Sequence, residues 1–476
     1  MLLSFCEVKM IQIENVSFGY SNENGALHNI DLNVNKGECI LLCGESGCGK
    51  TTITKLVNGL IPHFTDKCVL SGKVTVNNVN VAETELYQLA ITTGSVFQNP
   101  KSQFFNLDTD SELAFGLENE GVAPELIEKN VKAAVSSLKI ENLLGRSIFS
   151  LSGGEKQILA FGSVLAMDTE ILVLDEPTAN LDTEGIIKLQ DQIRKLKETG
   201  HTVIIAEHRL YFLEGLIDRA VFIKNGEIIK IYSGRDFFAL SDDERIEMGL
   251  RTLKPELLSL PFVEKTITGK GLEVENLACR YKHNSYIIEN LSFRIDYGEV
   301  LAITGCNGTG KTTLIRCLCG LMKEKKGKIY LDGQVDKLRK RRKQSFCVMQ
   351  DVNHQLFSDS VYGECEQTGK DKKEEIDRLL EDFDLLDMKE RHPMSLSGGQ
   401  KQRLAIVTAI LSEKCILVFD EPTSGLDYRH MCEVSAVIKK LAKAGHIVIV
   451  VSHDNEFIMS CCDKVLRICK KEVNTL

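Results

Sequence analysis

Short apolar runs alternate along the chain with longer segments of mixed polarity. Continuous runs of this kind are typical of strands buried on both faces of a parallel sheet. Residues 125–139 instead carry apolar side chains among charged ones at helical spacing. The pattern predicts an α/β fold in which a β-rich opening precedes a helical insertion, with strands at Ile11–Ile13, Cys39–Cys43, Lys73–Val76, Ile171–Leu174 and Thr202–Ala206.

The chain is an internal repeat. The segment GESGCGKT at Gly44–Thr51 recurs as GCNGTGKT at Gly305–Thr312, and LSGGE at 151–155 recurs as LSGGQ at 396–400. Later motifs keep the same order in both copies, and self-similarity of this extent indicates a duplicated domain. We therefore predict a first domain at 1–239, a linker at 240–270 with at most one short helix, and a second domain at 271–476.

Composition narrows the range of functions. The chain has 476 residues and a formal net charge of −9, so it has no overall basic field for nucleic acid, although Lys337–Lys343 could form a local patch. No apolar run approaches the ~20 residues of a membrane-spanning helix. Sixteen cysteines are present without CxxC pairs, which favours a reducing cytoplasm.

Both copies carry a phosphate-binding loop. The pattern G-x-x-x-x-G-K-[ST] after a strand turns backbone N–H groups toward phosphates and places a helix N-terminus beneath them. Lys50 and Lys311 are predicted to reach the β- and γ-phosphates, and Thr51 and Thr312 to ligate Mg²⁺.

Two adjacent acids follow a buried strand in each copy. In ILVLDE and ILVFDE, Asp175 and Asp420 fit a Mg²⁺ shell, and Glu176 and Glu421 fit a general base that polarises water. Acids at a strand end can alternatively form a solvated turn or a helix cap.

One histidine and one tyrosine in each copy are further candidates. His208 and His453 stand at strand tips, where they could sense a γ-phosphate, although a histidine there can be structural. Tyr20 and Tyr281 lie upstream of the loops and could stack on a nucleotide base, although a strand tyrosine can simply pack.

The LSGGE and LSGGQ motifs, with the loops, acids and histidines, resemble the ATP-binding-cassette (ABC) ATPases over nearly the whole chain. The resemblance implies tandem P-loop NTPase domains, each with a mainly parallel core sheet, an antiparallel β subdomain and a helical subdomain. In that family two cassettes close head to tail, so Ser397 and Gly399 would close the first site, and Ser152 and Gly154 the second.

The complete candidate set is then as follows. The proposed catalytic residues are Glu176, His208, Glu421 and His453, and the metal ligands are Thr51, Gln98, Asp175, Thr312, Gln350 and Asp420. The nucleotide-binding residues are Tyr20, Gly44, Glu45, Ser46, Gly47, Cys48, Gly49, Lys50, Thr51, Thr52, Gln98, Ser152, Gly154, Tyr281, Gly305, Cys306, Asn307, Gly308, Thr309, Gly310, Lys311, Thr312, Thr313, Gln350, Ser397 and Gly399. Both sites keep the lysine, the acid pair and the histidine, which predicts two hydrolytic sites with ATP and Mg²⁺ as cofactors. A departure is Ile158, which matches Arg403 of the second copy.

A second glutamine and a phenylalanine follow each of Gln98 and Gln350. Gln98 is followed by Gln103-Phe104-Phe105, and Gln350 by Gln355-Leu356-Phe357. This looks like the ATPases of energy-coupling-factor vitamin and metal importers, in which the surface receives helices of a transmembrane coupling subunit. The resemblance implies that coupling subunit and a substrate-binding membrane subunit as partners, no nucleic acid, and a peripheral position at the cytoplasmic face of the membrane. These aromatics could alternatively be packing residues of any cassette.

Other functions remain open at this point. A fused ATPase of a simple-sugar importer has similar length and duplication, but its second site is expected to be degenerate. A soluble twin cassette acting on ribosomes is expected to carry a long basic linker, whereas residues 240–270 are of mixed charge.

Overall fold

Two six-stranded sheets organise the fold, one in each half of the chain. The computed structural model describes residues 8–20, 26–65, 68–254, 270–281 and 286–469, and the backbone of 473–475. The chain divides into two compact units, the first made of Met1–Lys254 with Asp427–Arg429 and the second of Pro255–Leu426 with His430–Leu476.

The first unit alternates strands and helices after a β-rich opening. Its strands are β1 Lys9–Tyr20, β2 Leu27–Asn35, β3 Cys39–Cys43, β4 Cys68–Val76, β5 Val79–Asn80, β6 Thr93–Val96, β7 Ile171–Asp175, β8 Thr202–Ala206, β9 Arg219–Lys224 and β10 Glu227–Ser233. Its helices are α1 Lys50–Val57, α2 Leu60–His63, α3 Leu86–Thr92, α4 Thr109–Asn119, α5 Pro124–Leu138, α6 Gly153–Met167, α7 Thr183–Glu198, α8 Gly234–Phe238 and α9 Asp242–Glu247.

Two sheets form the first unit. One has the order β10-β9-β3-β8-β7-β6 and is parallel except for the β9–β10 pair, and the other is antiparallel with the order β2-β1-β4-β5. Strands β3, β7 and β8 are buried at every position, because helices or the second sheet cover both faces. The predicted helical insertion is α4 to α6, and α5 matches the expected helix at 125–139 within a residue at each end.

The second unit repeats this plan. Its strands are β11 Gly271–Cys279, β12 Ile288–Asp296, β13 Val300–Thr304, β14 Lys326–Leu331, β15 Gln334–Val335, β16 Ser345–Val348, β17 Ile416–Asp420, β18 Ile447–Val451, β19 Lys464–Ile468 and β20 Val473–Thr475. Its helices are α10 Lys311–Leu318, α11 Leu338–Gln344, α12 Val361–Thr368, α13 Lys373–Asp382, α14 Gly398–Leu411, α15 Tyr428–Lys443 and α16 Asn455–Cys461.

The sheet orders of the second unit match those of the first. The larger sheet runs β16-β17-β18-β13-β19-β20, with only β19–β20 antiparallel, and the smaller antiparallel sheet runs β12-β11-β14-β15. The predicted fold class, a mainly parallel core sheet with an antiparallel β subdomain and a helical subdomain in each copy, is confirmed.

The predicted linker divides at Lys254. Residues 240–254 pack on the first unit, because Leu250 and Leu253 are buried in the same core cluster as strands β3 and β8, and Leu240 and Met248 lie against it. Helix α9 is the one short helix of this segment. Residues 255–269 lie outside the described residues. No helix of the described part of the chain has the length and apolarity to cross a bilayer.

Candidate active site

The phosphate loop of the first unit is shaped by glycines. Gly49 adopts a left-handed conformation and caps α1, so the helix begins at Lys50. The Lys50 ammonium group is buried and donates hydrogen bonds to the carbonyl oxygens of Gly44 and Glu45, both at 2.9 Å. Gly44 has φ +146°, and a Cβ there would overlap the carbonyl oxygen of Ile223, so the turn requires glycine.

The second phosphate loop repeats this geometry. Gly310 is left-handed at the start of α10, and the buried Lys311 donates to the carbonyl oxygens of Gly305 at 2.6 Å and Cys306 at 3.2 Å. In both units, main-chain carbonyl oxygens of the loop fix the lysine ammonium group at the place where the loop would bind a phosphate.

A hydroxyl and a carboxylate face each other at the end of β7. The Thr51 hydroxyl donates to an Asp175 carboxylate oxygen at 3.2 Å. Burial raises the pKa of Asp175 to about 6, although Thr51 and Lys50 act in the opposite sense. Burial likewise raises the pKa of Asp420 to about 6, against the effect of Lys311. A buried carboxylate beside a hydroxyl, as at Asp175, fits a hard cation such as Mg²⁺.

The two glutamates share an unusual backbone conformation. Glu176 and Glu421 have φ of 45° and 51°, the left-handed region that non-glycine residues rarely occupy. The Glu176 N–H donates to the Ala206 carbonyl at 2.8 Å, and the Glu421 N–H donates to the Val451 carbonyl at 2.9 Å. Each glutamate is thereby fixed to the neighbouring strand that leads to the histidine. Strained backbone of this kind is often found at active sites.

Glu176 of the first unit lies beside two other candidate residues, His208 and Gln98. The imidazole Nε2 of His208 lies 3.7 Å from a Glu176 carboxylate oxygen, and the Gln98 side-chain amide donates to the other oxygen at 2.9 Å. Burial raises the pKa of Glu176 to about 8, and the carboxylates of Glu207 and Asp175 add to the shift. In the second unit, His453 Nε2 lies 3.6 Å from Glu421.

Glu207 is a residue of this site that the sequence analysis missed. It is 3% exposed, and one carboxylate oxygen accepts hydrogen bonds from the N–H of Thr178 at 3.1 Å and its hydroxyl at 2.7 Å. The other oxygen accepts from the N–H of His208 at 2.7 Å and of Arg209 at 3.1 Å. Glu207 therefore ties the histidine loop to the segment that follows Glu176.

In the second unit, a carboxylate at a different sequence position links the histidine loop to the segment that follows Glu421. Ser452 stands where Glu207 would be, and its hydroxyl accepts the N–H of Asp454 at 3.1 Å. Asp454, one residue after the histidine, accepts a hydrogen bond from the Thr423 hydroxyl at 3.0 Å. The carboxylate thus precedes the histidine in one unit and follows it in the other. The signal in the sequence was the contrast between Glu207-His208-Arg209 and Ser452-His453-Asp454.

We call residues 97–105, after β6, and 349–357, after β16, the glutamine loops. The second glutamine of each loop, Gln103 or Gln355, forms hydrogen bonds with the main chain. Gln103 accepts the Phe97 N–H at 3.1 Å and donates to the Ser95 carbonyl at 3.0 Å. Gln355 makes the equivalent pair of hydrogen bonds with Met349 and Cys347. Each glutamine folds its loop back against the strand that leads to Gln98 or Gln350.

The signature serines cap helices. The Ser152 hydroxyl accepts the N–H of Glu155, and the Glu155 carboxylate accepts the N–H of Ser152, which forms a capping box at the start of α6. Ser397 and Gln400 form the same box at α14. Gly154 and Gly399 lie in the first turns of these helices.

The two tyrosines differ in their surroundings. Tyr20 is 44% exposed, and its ring packs edge-on against Phe18, with centroids 4.7 Å apart. Tyr281 is 39% exposed, and its hydroxyl accepts a hydrogen bond from Arg316 at 3.1 Å. Both rings keep an exposed area, which stacking on a base requires.

The remaining predicted loop residues belong to the two phosphate loops and the first turns of α1 and α10. They are Ser46, Gly47, Cys48 and Thr52 in the first unit, and Asn307, Gly308, Thr309, Thr312 and Thr313 in the second. Gly47 and Gly308 have φ of 79° and 76°, so both loops turn through the left-handed region at the same position.

Comparison with known proteins agrees with this geometry. The family model described as ABC transporter matches residues 27–179 and 288–424. A protein of Treponema denticola, provisionally named an ABC transporter ATP-binding protein, is 47% identical over 96% of this chain and 95% of its own. YkoD of Bacillus subtilis, provisionally named an HMP/thiamine import ATP-binding protein, is 32% identical over 96% of this chain and 89% of its own.

A solved structure gives the same fold at lower identity. A model of ribosome-bound archaeal Pelota and ABCE1 contains a chain that is 22% identical with a TM-score of 0.67, covering 95% of this chain and 76% of that one. At this identity the likeness concerns the fold alone. From the two matched segments and the relatives, the chain belongs to the ABC transporter family as one of its ATP-binding proteins, and it is an ATPase.

Proposed function

We propose that the chain is the energy-coupling subunit of a membrane importer of the energy-coupling-factor type, which takes up a vitamin, a metal ion or a similar micronutrient. The similarity to YkoD over almost the whole chain supports import. The presence of lysine, acid pair and histidine in both units supports two hydrolytic sites and disfavours a fused sugar-importer ATPase with a degenerate second site.

We propose the following roles for the site residues. Lys50 holds the β- and γ-phosphates of ATP, and Thr51, Gln98 and Asp175 hold Mg²⁺, which offsets phosphate charge when bound. Glu176 accepts a proton from the attacking water at its carboxylate, because burial gives that carboxylate the raised pKa that a general base needs.

In the second unit we give the equivalent roles to Lys311, Thr312, Gln350, Asp420 and Glu421. His208 and His453 would sense the γ-phosphate. From the family pattern we also propose that Ser397 and Gly399 complete the first site, and that Ser152 and Gly154 complete the second. The sites would close when ATP is bound and open after the γ-phosphate is cleaved and released, and this movement would drive transport.

The observation that carries the importer proposal is an exposed apolar surface beside the glutamine loop. Phe105, Leu107 and Phe149 of the first unit are 76%, 69% and 77% exposed. Leu107 and Phe149 lie close together, because the Ile148 N–H donates to the Leu107 carbonyl at 2.9 Å. Phe105 stands two residues before Leu107 and stacks on Phe115, with ring centroids 5.1 Å apart. An exposed apolar cluster of this kind is typical of a protein interface.

The second unit exposes a related surface. Phe357 is 77% exposed and Met394 is 49% exposed, and they occupy the repeat positions of Phe105 and Phe149. We propose that both surfaces receive segments of a membrane coupling subunit.

Purification from native membranes in mild detergent tests this proposal. The expected result is co-purification of a polytopic membrane protein with a small substrate-binding membrane subunit. The double variant Phe105→Ser/Phe149→Ser should lose these partners, whereas Tyr87→Ser, which changes an exposed ring on α3, should keep them. Co-purification with ribosomes, or with a sugar permease, would contradict the proposal.

A further inference from the structure

A cluster of exposed basic side chains distinguishes the second unit. Residues 323–343 contain ten lysines and arginines against three acids, in a chain whose net charge is −9. Seven of the ten define what we call the basic face, and all seven are exposed: Lys323, Lys325, Lys337, Arg339, Lys340, Arg342 and Lys343. Within the described part of the chain, none of the seven forms an ion pair.

The two segments of the basic face lie against each other. Arg342 of α11 donates to the carbonyl oxygen of Gly320 at 3.2 Å, so the helix packs on the turn that carries Lys323 and Lys325. Arg341 is fully buried and pairs with Glu324 of the same turn at 2.6 Å. The buried Arg341 side chain packs α11 against this turn, and the other cations of the helix are left facing solvent.

The equivalent helix of the first unit has none of these charges. Helix α3, with the sequence LYQLAIT, contains no charged residue, whereas α11, with the sequence LRKRRKQ, contains five lysines and arginines. Both helices precede the edge strand that leads to the glutamine loop, so the core fold does not require a basic helix there. The charge is a property of the second unit alone.

We propose that the basic face binds the headgroups of acidic phospholipids. Clusters of four to eight exposed lysines and arginines are attracted to anionic lipid surfaces, and no phosphate-binding role in the ATP site accounts for these seven. Leu321, at the tip of the same turn, is 53% exposed and could enter the headgroup region.

Nucleic acid fits the basic face less well. Proteins that hold single strands combine basic grooves with aromatic rings on which bases stack. Residues 320–325 and 337–344 contain no aromatic side chain. The proposal goes beyond the importer function, because a direct lipid contact does not depend on which membrane subunits the chain has.

Sedimentation with vesicles tests the proposal on the full chain. One set of vesicles contains phosphatidylcholine alone, and the other contains phosphatidylcholine and phosphatidylglycerol in equal parts. The test variant is Arg339→Gln/Lys340→Gln/Lys343→Gln, which keeps the buried Arg341. The control variant removes three exposed cations elsewhere: Lys129→Gln/Lys195→Gln/Lys224→Gln.

We expect binding to the phosphatidylglycerol vesicles only. Each cation near an anionic surface contributes about fivefold to binding, so the test variant should bind about a hundredfold more weakly, and the control variant much less so. Both variants should have the unfolding temperature of the wild type, which would show that the substitutions do not affect folding. ATP turnover in detergent solution is measured beside the vesicles and should be unchanged in both variants, so a failure of lipid binding is distinguishable from a failure of the ATPase function.

Three results would overturn the proposal. The wild type could bind both kinds of vesicle equally, or the two triple variants could lose binding equally, which would reflect net charge alone. A third is that poly(U) binds the basic face more tightly than the vesicles and displaces them, which would assign the face to nucleic acid.

Discussion

Replacing Glu207 with serine tests how the histidine of the first unit is held. Glu207 accepts four hydrogen bonds, from the N–H and hydroxyl of Thr178 and from the N–H groups of His208 and Arg209. Serine at the same repeat position of the second unit keeps one such bond, to the residue after the histidine. Glu207→Ser should therefore lose three hydrogen bonds to a carboxylate, which at about 1.5 kcal/mol each destabilise the first unit by about 4–5 kcal/mol.

The expected effect on catalysis is specific. His208 loses the bond that fixes its main chain beside Glu176, so kcat of the first unit should fall at least about tenfold, which corresponds to about 1.4 kcal/mol. The KM for ATP should stay within about twofold, because Lys50 is held by Gly44 and Glu45. Turnover is measured in a chain that also carries Glu421→Gln, so that the second unit is silent.

A double variant provides the control. Glu207→Ser/Arg209→Asp copies the second unit, in which an aspartate after the histidine accepts the threonine hydroxyl. It should recover most of the lost kcat, and about 1.5 kcal/mol of the lost stability, because one hydrogen bond to a carboxylate returns. The reasoning is refuted if Glu207→Ser turns over ATP at the wild-type rate, or if the double variant is no better than the single one.

Substitutions at three further positions have expected outcomes. Lys50→Ala should leave the main chain of the loop in place and abolish ATP binding at the first unit, measured with a fluorescent ATP analogue; unchanged affinity there would contradict the assigned role. Gly44→Ala should destabilise the first unit by about 3 kcal/mol or more in a denaturant titration, because the new Cβ overlaps the Ile223 carbonyl; a loss below about 1 kcal/mol would contradict that overlap. Arg341→Ala should destabilise the second unit by about 3–5 kcal/mol, and Arg341→Met by much less. The reason is that the guanidinium is buried with two of its nitrogen atoms lacking a partner, whereas Glu324 is accessible to water. Equal losses in the two variants would show that charge pairing, rather than packing, holds α11.

Much of the fold follows from local sequence. Strands β3 and β8 begin and end at the residues predicted, because continuous apolar runs buried on both faces leave little freedom for the boundary. The duplication was readable because the phosphate loop and the LSGG run recur in the same order. By contrast, β1 runs from Lys9 to Tyr20, well beyond the predicted Ile11–Ile13, since its polar positions pair with β2 and β4.

The rest depended on tertiary packing. Leu250 and Leu253 stand in a segment with the composition of a linker, and only the packed structure places them in the core of the first unit. The pairing of Glu207 with Thr178 crosses from one strand end to the next loop, so no local pattern predicts it. Its counterpart Asp454 shows that a repeat can preserve a contact while moving the residue that makes it.

Whether both units hydrolyse ATP is tested most directly by the variants Glu176→Gln and Glu421→Gln, made singly and together. Glutamine keeps the shape of the side chain and removes the base, so ATP binding should persist in all three variants. We predict that each single variant loses part of the steady-state ATP turnover and that the double variant loses all of it. A single variant with wild-type turnover would contradict two active sites, and residual turnover in the double variant would contradict the assignment of these glutamates as bases.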